Sequence, residues 1–155
     1  MPNITQSQRD ASQLFSLGIK VSKTAATLPA TTTQNIFTIS GGRVWVVALV
    51  GEVTTICSAT ATNLKATSVP TTGTAADIAA NLAIANLEAG TILVVEGDAT
   101  AIIGVSAGFG PALNALPFIL PIGTLRIETS ATNTGATKWD LFYFPFDDGA
   151  TVVSA

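Results

Sequence analysis

Histidine is missing from this 155-residue chain, and cysteine, methionine and tyrosine occur once each. Without histidine, no side chain ordinarily gains and loses a proton near neutral pH, so the commonest general base is gone. With one thiol and no imidazole, zinc and copper sites of the usual kind are excluded, and Cys57 has no partner for an internal disulfide. Charge is scarce as well: Asp, Glu, Lys and Arg make up 11% of the residues, where roughly 25% is usual. The seven basic residues, Arg9, Lys20, Lys23, Arg43, Lys65, Arg126 and Lys138, are scattered. No basic stripe displaces counterions, so direct nucleic-acid binding is not expected. The mean hydropathy is +0.51, yet no apolar run approaches the ~18 residues that cross a bilayer. No charged start followed by an apolar stretch marks a secretory leader. The expectation is a protein made in the cytoplasm, with no membrane partner.

What the chain does have is apolar and β-branched. Hydrophobic residues are 48% of it, and threonine runs such as Ala30-Thr31-Thr32-Thr33 suit a pleated surface, where the branched side chain packs and the hydroxyl tolerates water. The most telling stretch is Gly41 to Thr55. Side chains alternate between the faces of a strand, so Trp45, Val47 and Leu49 point one way and Val44, Val46, Ala48 and Val50 the other. Both sets are apolar. Strands of antiparallel sandwiches usually keep one wet face, so a doubly apolar strand implies that a second surface covers it. A second copy of the chain is the candidate.

Strand signals recur along the sequence. Ile36–Ser40 leads through Gly41-Gly42 into the next strand at hairpin spacing, and Cys57–Ser68 holds another. Over 75–89 two signals conflict. Thr74, Asp77 and Gly90 resemble helix caps, whereas Ile78, Ala80, Leu82 and Ile84 alternate as a strand does, and the strand reading is slightly favoured. Thr91–Glu96 is apolar on both faces. Gly104–Pro111 reads as a glycine-rich loop, and Phe118–Leu120, between prolines, as an edge strand. In Thr124–Ser130, Leu125 and Ile127 point in while Arg126 and Glu128 point out. Lys138–Phe146 is a last strand with a dense aromatic end, closed by Asp147-Asp148-Gly149 and a short tail. About eight short strands separated by Gly, Pro and Thr turns describe an all-β antiparallel sandwich of jelly-roll type. It occupies residues 18–155 as one domain, preceded by a polar, mobile N-terminal arm over 1–17, within which Ser7–Leu17 has the pattern of a short helical turn.

Motifs for chemistry are few. Gly104-Val105-Ser106-Ala107-Gly108 satisfies the G-x-S-x-G pattern, but that elbow needs a strand-to-helix turn and a histidine to take the serine proton. A plain loop is the better account. Glu96-Gly97-Asp98 and Asp147-Asp148-Gly149 place carboxylates in turns without the alternating ligand spacing of a calcium loop. Cys57, with no basic neighbour in sequence, reads as a small buried hydrophobe inside a strand. The expectation is therefore no enzyme, no cofactor and no metal.

Several stretches together resemble a known group. They are Gly18-Ile19-Lys20-Val21-Ser22-Lys23, Ile36-Phe37-Thr38-Ile39-Ser40-Gly41-Gly42-Arg43-Val44, Gly51-Glu52-Val53-Thr54-Thr55, Ala61-Thr62-Asn63-Leu64-Lys65, Ala131–Trp139 and Pro145–Ala150. The chain resembles small virion proteins of tailed bacteriophages over most of its length. The resemblance implies a capsid decoration, or cement, protein on the outside of the phage head, often a trimeric jelly roll, with the major capsid protein as partner. No catalytic residues come with it. On this reading Val44, Val46, Val50, Phe142, Phe144 and Phe146 are the candidate oligomer interface, and Ile4, Arg9, Leu14 and Phe15 in the arm are the candidate capsid contacts. The alternatives are a tail-tube or tail-fibre component, and a carbohydrate-binding sandwich that uses the aromatics of 139–146.

Overall fold

Eleven strands, and no helix among the described residues, build two antiparallel sheets in the computed structural model, which describes residues 18–108 and 117–155. The strands are β1 (Ile19–Thr27), β2 (Thr33–Ser40), β3 (Val44–Thr55), β4 (Asn63–Pro70), β5 (Ala76–Ala83), β6 (Ile92–Val95), β7 (Ile103–Val105), β8 (Phe118–Leu120), β9 (Gly123–Thr129), β10 (Ala136–Pro145) and β11 (Thr151–Ser154). The first sheet runs β1-β10-β3-β6-β7, with β8 also paired to β3, and the second runs β11-β2-β9-β4-β5. The ladder pairs are nested: β1 with β10, β2 with β9, β3 with β6 and β8, and β4 with β5. One long antiparallel ribbon has been rolled so that alternate pairs fall into opposite sheets, which is the jelly-roll arrangement. Eight strands make the roll, while β7 and β11 are added at its edges and β8 pairs with the Val44–Val46 end of β3 that β6 leaves open. The ambiguous segment resolves as strand β5.

Several local expectations are corrected. Gly41-Gly42 does not turn a hairpin, because β2 and β3 lie in different sheets. The pair carries the chain across the end of the sandwich, where Gly41 has φ of 75° and an added Cβ would stand 2.2 Å from the Gly149 carbonyl oxygen. Cys57 lies beyond the end of β3 rather than in a strand; it is buried, its backbone N–H donates to the Leu87 carbonyl at 2.9 Å, and burial raises its thiol pKa. Part of the supposed Gly104 loop is strand β7, paired with β6, and Leu82 packs closely over Gly104, where an added Cβ would stand 3.0 Å from its terminal methyl. The tail after Gly149 forms β11, which pairs with β2. The arm and its helical turn lie outside the described residues.

The largest correction concerns β3. Tyr143 stands opposite Val46 and Phe142 opposite Ala48, so one residue, Val47, is inserted as a β-bulge. An inserted residue reverses the in–out alternation beyond it. Val44 and Val46 point into the core before the bulge, and Leu49, Gly51 and Val53 do so after it. The two apolar sets of this strand are thus largely one set, shifted by one position.

Between the sheets, Phe37, Ile39, Leu64, Ile127 and Leu125 from one side meet Val44, Val46, Leu49, Leu93, Trp139 and Leu141 from the other. Trp139 pairs with Gly51 in the ladder, and an added Cβ on Gly51 would stand 2.8 Å from the indole. The missing side chain makes the space that the largest core residue fills. Two hydrogen bonds satisfy polar groups in the core: Trp139 Nε1 donates to Thr137 Oγ1 at 3.1 Å, and the Val152 N–H donates to the Tyr143 hydroxyl at 3.2 Å, joining the sheets, whereas the buried hydroxyls of Thr54 and Ser58 find no partner among the described residues. At one end Asn133 acts as a clasp, its Oδ1 accepting from the N–H groups of Ser58 at 2.9 Å and Gly135 at 3.0 Å.

Candidate functional site

Strand β10 carries the outer surface of the first sheet. Its inward residues are Thr137, Trp139, Leu141 and Tyr143, so Lys138, Asp140, Phe142 and Phe144 face outward, followed by Phe146 just past the strand. Polarity changes along this row. Lys138 Nζ pairs with Glu52 of β3 at 2.7 Å, which raises the lysine pKa through the hydrogen bond and the charge. Asp140 takes Lys20 Nζ of β1 at 3.1 Å and the Ser22 hydroxyl at 2.5 Å. Lys20 Nζ then lies 5.7 Å from the Phe142 ring centroid. Beyond that the surface turns apolar.

Phe144 stands opposite Trp45 in the ladder, their rings 6.3 Å apart and tilted by 45°. Ile119 of β8 is Trp45's partner on its other side. Trp45 is 44% exposed, Ile119 48% and Phe146 51%. Arg43 lies over Phe146 at 4.7 Å and is held there by Asp147, with Nε to Oδ2 at 2.8 Å and Nη2 to Oδ1 at 2.7 Å. The side-chain hydrogen bond from Arg43, then its backbone N–H, lowers the Asp147 pKa to about 2. On the other side of this ion pair the chain crosses between sheets at Pro121-Ile122, and Ile122 is exposed too. Ile19, at the start of β1 opposite Tyr143, lies at the same end. Among the described residues, five of the seven large exposed hydrophobic side chains, Ile19, Trp45, Ile119, Ile122 and Phe146, therefore lie at one end, with Ile56 and Val153 elsewhere. A concentration of this kind on a surface poor in charge has the character of a contact surface.

The outer surface of the second sheet is of a different kind. Glu128 of β9 meets Arg126 at 2.7 Å and Lys65 of β4 at 3.2 Å, and Lys65 also reaches Asp77 of β5 at 3.1 Å. Burial works against the charged form of Glu128, but the hydrogen bonds from Lys65 and Arg126 outweigh it and hold its pKa low. The Thr67 hydroxyl donates to Asp77 at 2.8 Å, which is the chief cause lowering that pKa. Lys65 is raised in turn, chiefly by its hydrogen bond with Asp77. The four charges compensate one another.

Of the six expected interface residues, the structure brings Phe142, Phe144 and Phe146 together on the outer row and places Val50 on the same face, half-buried opposite Asp140. Val44 and Val46 are fully buried in the core and have no surface to offer, a correction that follows from the bulge. Ile4, Arg9, Leu14 and Phe15 lie outside the described residues. Trp45, Ile119 and Ile122 were not on that list. The Pro117–Pro121 edge strand was legible, but its position beside Trp45 depends on pairing across more than sixty residues of chain. One carboxylate of each acidic turn is spent internally: Asp98 Oδ1 accepts from the Thr100 N–H at 3.0 Å and hydroxyl at 2.5 Å, and Asp147 is held by Arg43. Among the described residues no helix is long and apolar enough to cross a membrane.

No family model and no curated protein matches this chain. Among solved structures it has a likeness to a chain described as "Structure of infectious bursal disease virus Gx strain", with 16% identity and a TM-score of 0.26. That likeness covers 86% of this chain and 33% of the viral one, so the chain spans about a third of its length, and at that score the likeness carries no argument.

Proposed function

We propose that this protein is a non-enzymatic structural component of a virion: a decoration protein that binds the head of a tailed bacteriophage as an oligomer, with a trimer favoured. The observation that supports this most is the apolar end of the first sheet, where Trp45, Ile119 and Phe146 are exposed beside the half-buried Phe144. A protein that acts by adhering needs area and shape in place of reactive groups, and specific interfaces bury on the order of 1,600 Å² in all. On this reading the aromatic row joins copies of the chain, and Ile4, Arg9, Leu14 and Phe15 contact the major capsid protein. A sugar-binding role for the same aromatics is less well supported, because the nearest charged groups, Arg43 and Asp147, are already committed to each other.

Localisation on particles tests the proposal. Antibody-gold labelling or cryo-electron microscopy of virions should show the protein regularly arrayed on the outer head surface. Density confined to the tail, or none on the particle, would overturn it. Deletion of residues 1–10 should abolish head binding while leaving the oligomer intact.

A further inference from the structure

The outer surface of the second sheet is interrupted between β4 and β5. The ladder pairs Leu64 with Leu82 and Ala66 with Ala79, so Lys65 faces two residues, Ala80 and Asn81. A second irregularity follows at once, since Thr67 pairs with Asp77 and Ile78 is left over. These bulges break the alternation of β5: Ile78 and Ala79 are both buried, and Ala80 and Asn81 are both exposed. Ala80 also spends its backbone away from β4, its N–H donating to the Thr100 carbonyl at 2.8 Å and its carbonyl accepting from the Ile102 N–H at 3.4 Å. At the break lies a cleft of about 340 Å³, whose polar walls include Asn63, Lys65, Asp77, Asn81, Glu128 and Ser130. The Asn63 N–H donates to Ser130 Oγ at 2.9 Å and closes one end of it.

We infer that this cleft binds a neutral sugar unit of a glycan. Charge argues for a neutral ligand, because Lys65 and Arg126 are already matched by Asp77 and Glu128. An ion would have to break one of those pairs, at the cost of leaving a half-buried charge alone. Hydrogen-bonding capacity nevertheless remains. Asp77 Oδ2 and Glu128 Oε2 each receive Lys65, and a carboxylate oxygen has a second lone-pair site. Asn63 and Asn81, both exposed, add amides that donate and accept. Donors and acceptors thus alternate around the cleft, a pattern that neighbouring hydroxyls of a sugar ring match, since each hydroxyl can donate to a carboxylate and accept from an amide. The polar walls disfavour an apolar ligand, and the volume is at the lower end of the roughly 300–1,000 Å³ of ligand pockets, which suits one or two rings. The bulges supply the means: they aim Asn81 outward beside Lys65, where a regular strand would have continued the ladder. The inference goes beyond the proposed assembly role and does not rest on it.

Nitrogen-15 NMR of the full-length protein reads the site directly, because Asn63 and Asn81 report through their side-chain amides. Methyl α-glucoside, methyl β-galactoside and methyl N-acetyl-β-glucosaminide serve as probes, the methyl group standing for the rest of a glycan chain. At least one of them should give saturable shifts at Asn63, Asn81 and Ser130, with a dissociation constant on the order of millimolar, since no aromatic platform lines the cleft among the described residues. The Asn63→Ala/Asn81→Ala variant should weaken that binding tenfold or more with unchanged thermal stability. If the double variant fails to fold, Asn81→Ala alone carries the same comparison. The inference is overturned if none of the glycosides gives a saturable shift, or if the variant binds as well as the unsubstituted chain. Saturation of the same amides by calcium chloride or sodium phosphate in place of the glycosides would overturn it as well, by making the cleft an ion site. Binding of free glucose or galactose without binding of the methyl glycosides would overturn the assignment to a glycan. None of these results bears on whether the protein is found on the phage head.

Discussion

The two outer surfaces of this sandwich share a scaffold but spend their side chains differently. On the second sheet, Arg126, Glu128, Lys65 and Asp77 neutralise one another across three adjacent strands. On the first, a similar pairing of Lys138 with Glu52 and Lys20 with Asp140 covers only one end, and the row β10 continues into Phe142, Phe144 and Phe146. In a protein with so few charges, this distribution is informative. The polar surface has used its charges on itself, whereas the aromatic end is left with apolar area that folding does not cover.

Four experiments break or sharpen this contrast. Val46→Asp has the largest expected effect, because the side chain is completely buried between the sheets. An unpaired carboxylate there should cost about 4 kcal/mol or more and leave the chain unfolded, as circular dichroism would show. A folded, assembled Val46→Asp protein would mean that the bulge is misplaced and Val46 is outside.

Next in size is Trp45→Ser combined with Phe144→Ser, which should abolish self-association in light scattering while shifting thermal stability only slightly. Loss of folding instead would move the aromatic end from contact surface to core. Acid provides a third test. Asp147, Asp77, Glu128 and Asp98 all have pKa values lowered in the folded protein. Their contribution is fully present above the unfolded carboxylate values of about 4 and is lost as pH falls toward about 2, the value at Asp147. The urea midpoint should drop across that window, and less steeply in Asp147→Asn. The smallest effect is expected from Lys65→Met, about 1 kcal/mol or less and reduced by salt. It should leave the oligomeric state unchanged, the opposite outcome to that of the aromatic pair.

Much of this architecture could be read from the residues themselves. Strand β9 alternates as Leu125 and Ile127 against Arg126 and Glu128 predict, and the Pro-bounded Phe118–Leu120 is an edge strand. The aromatic row of β10 was also visible, since it depends on a period of two within one uninterrupted strand. What misled was β3, where a continuous apolar run offers no polar residue to mark a change of phase. The Gly41-Gly42 turn misled for a related reason: a tight turn between two strands has the same local chemistry whether it joins ladder partners or passes from one sheet to the other.

By itself, then, the sequence determined the class of structure and its chemical poverty. Alternation, β-branching and turn residues are local properties, and the lack of histidine needs no fold to be felt. Only the tertiary structure decided which apolar side chains were spent on the core and which were left outside. That choice turns on one inserted residue at Val47 and on pairings such as Trp45 with Ile119 and Phe144. Both are fixed by long-range packing, because alternation defines two faces of a strand without saying which of them meets the opposite sheet.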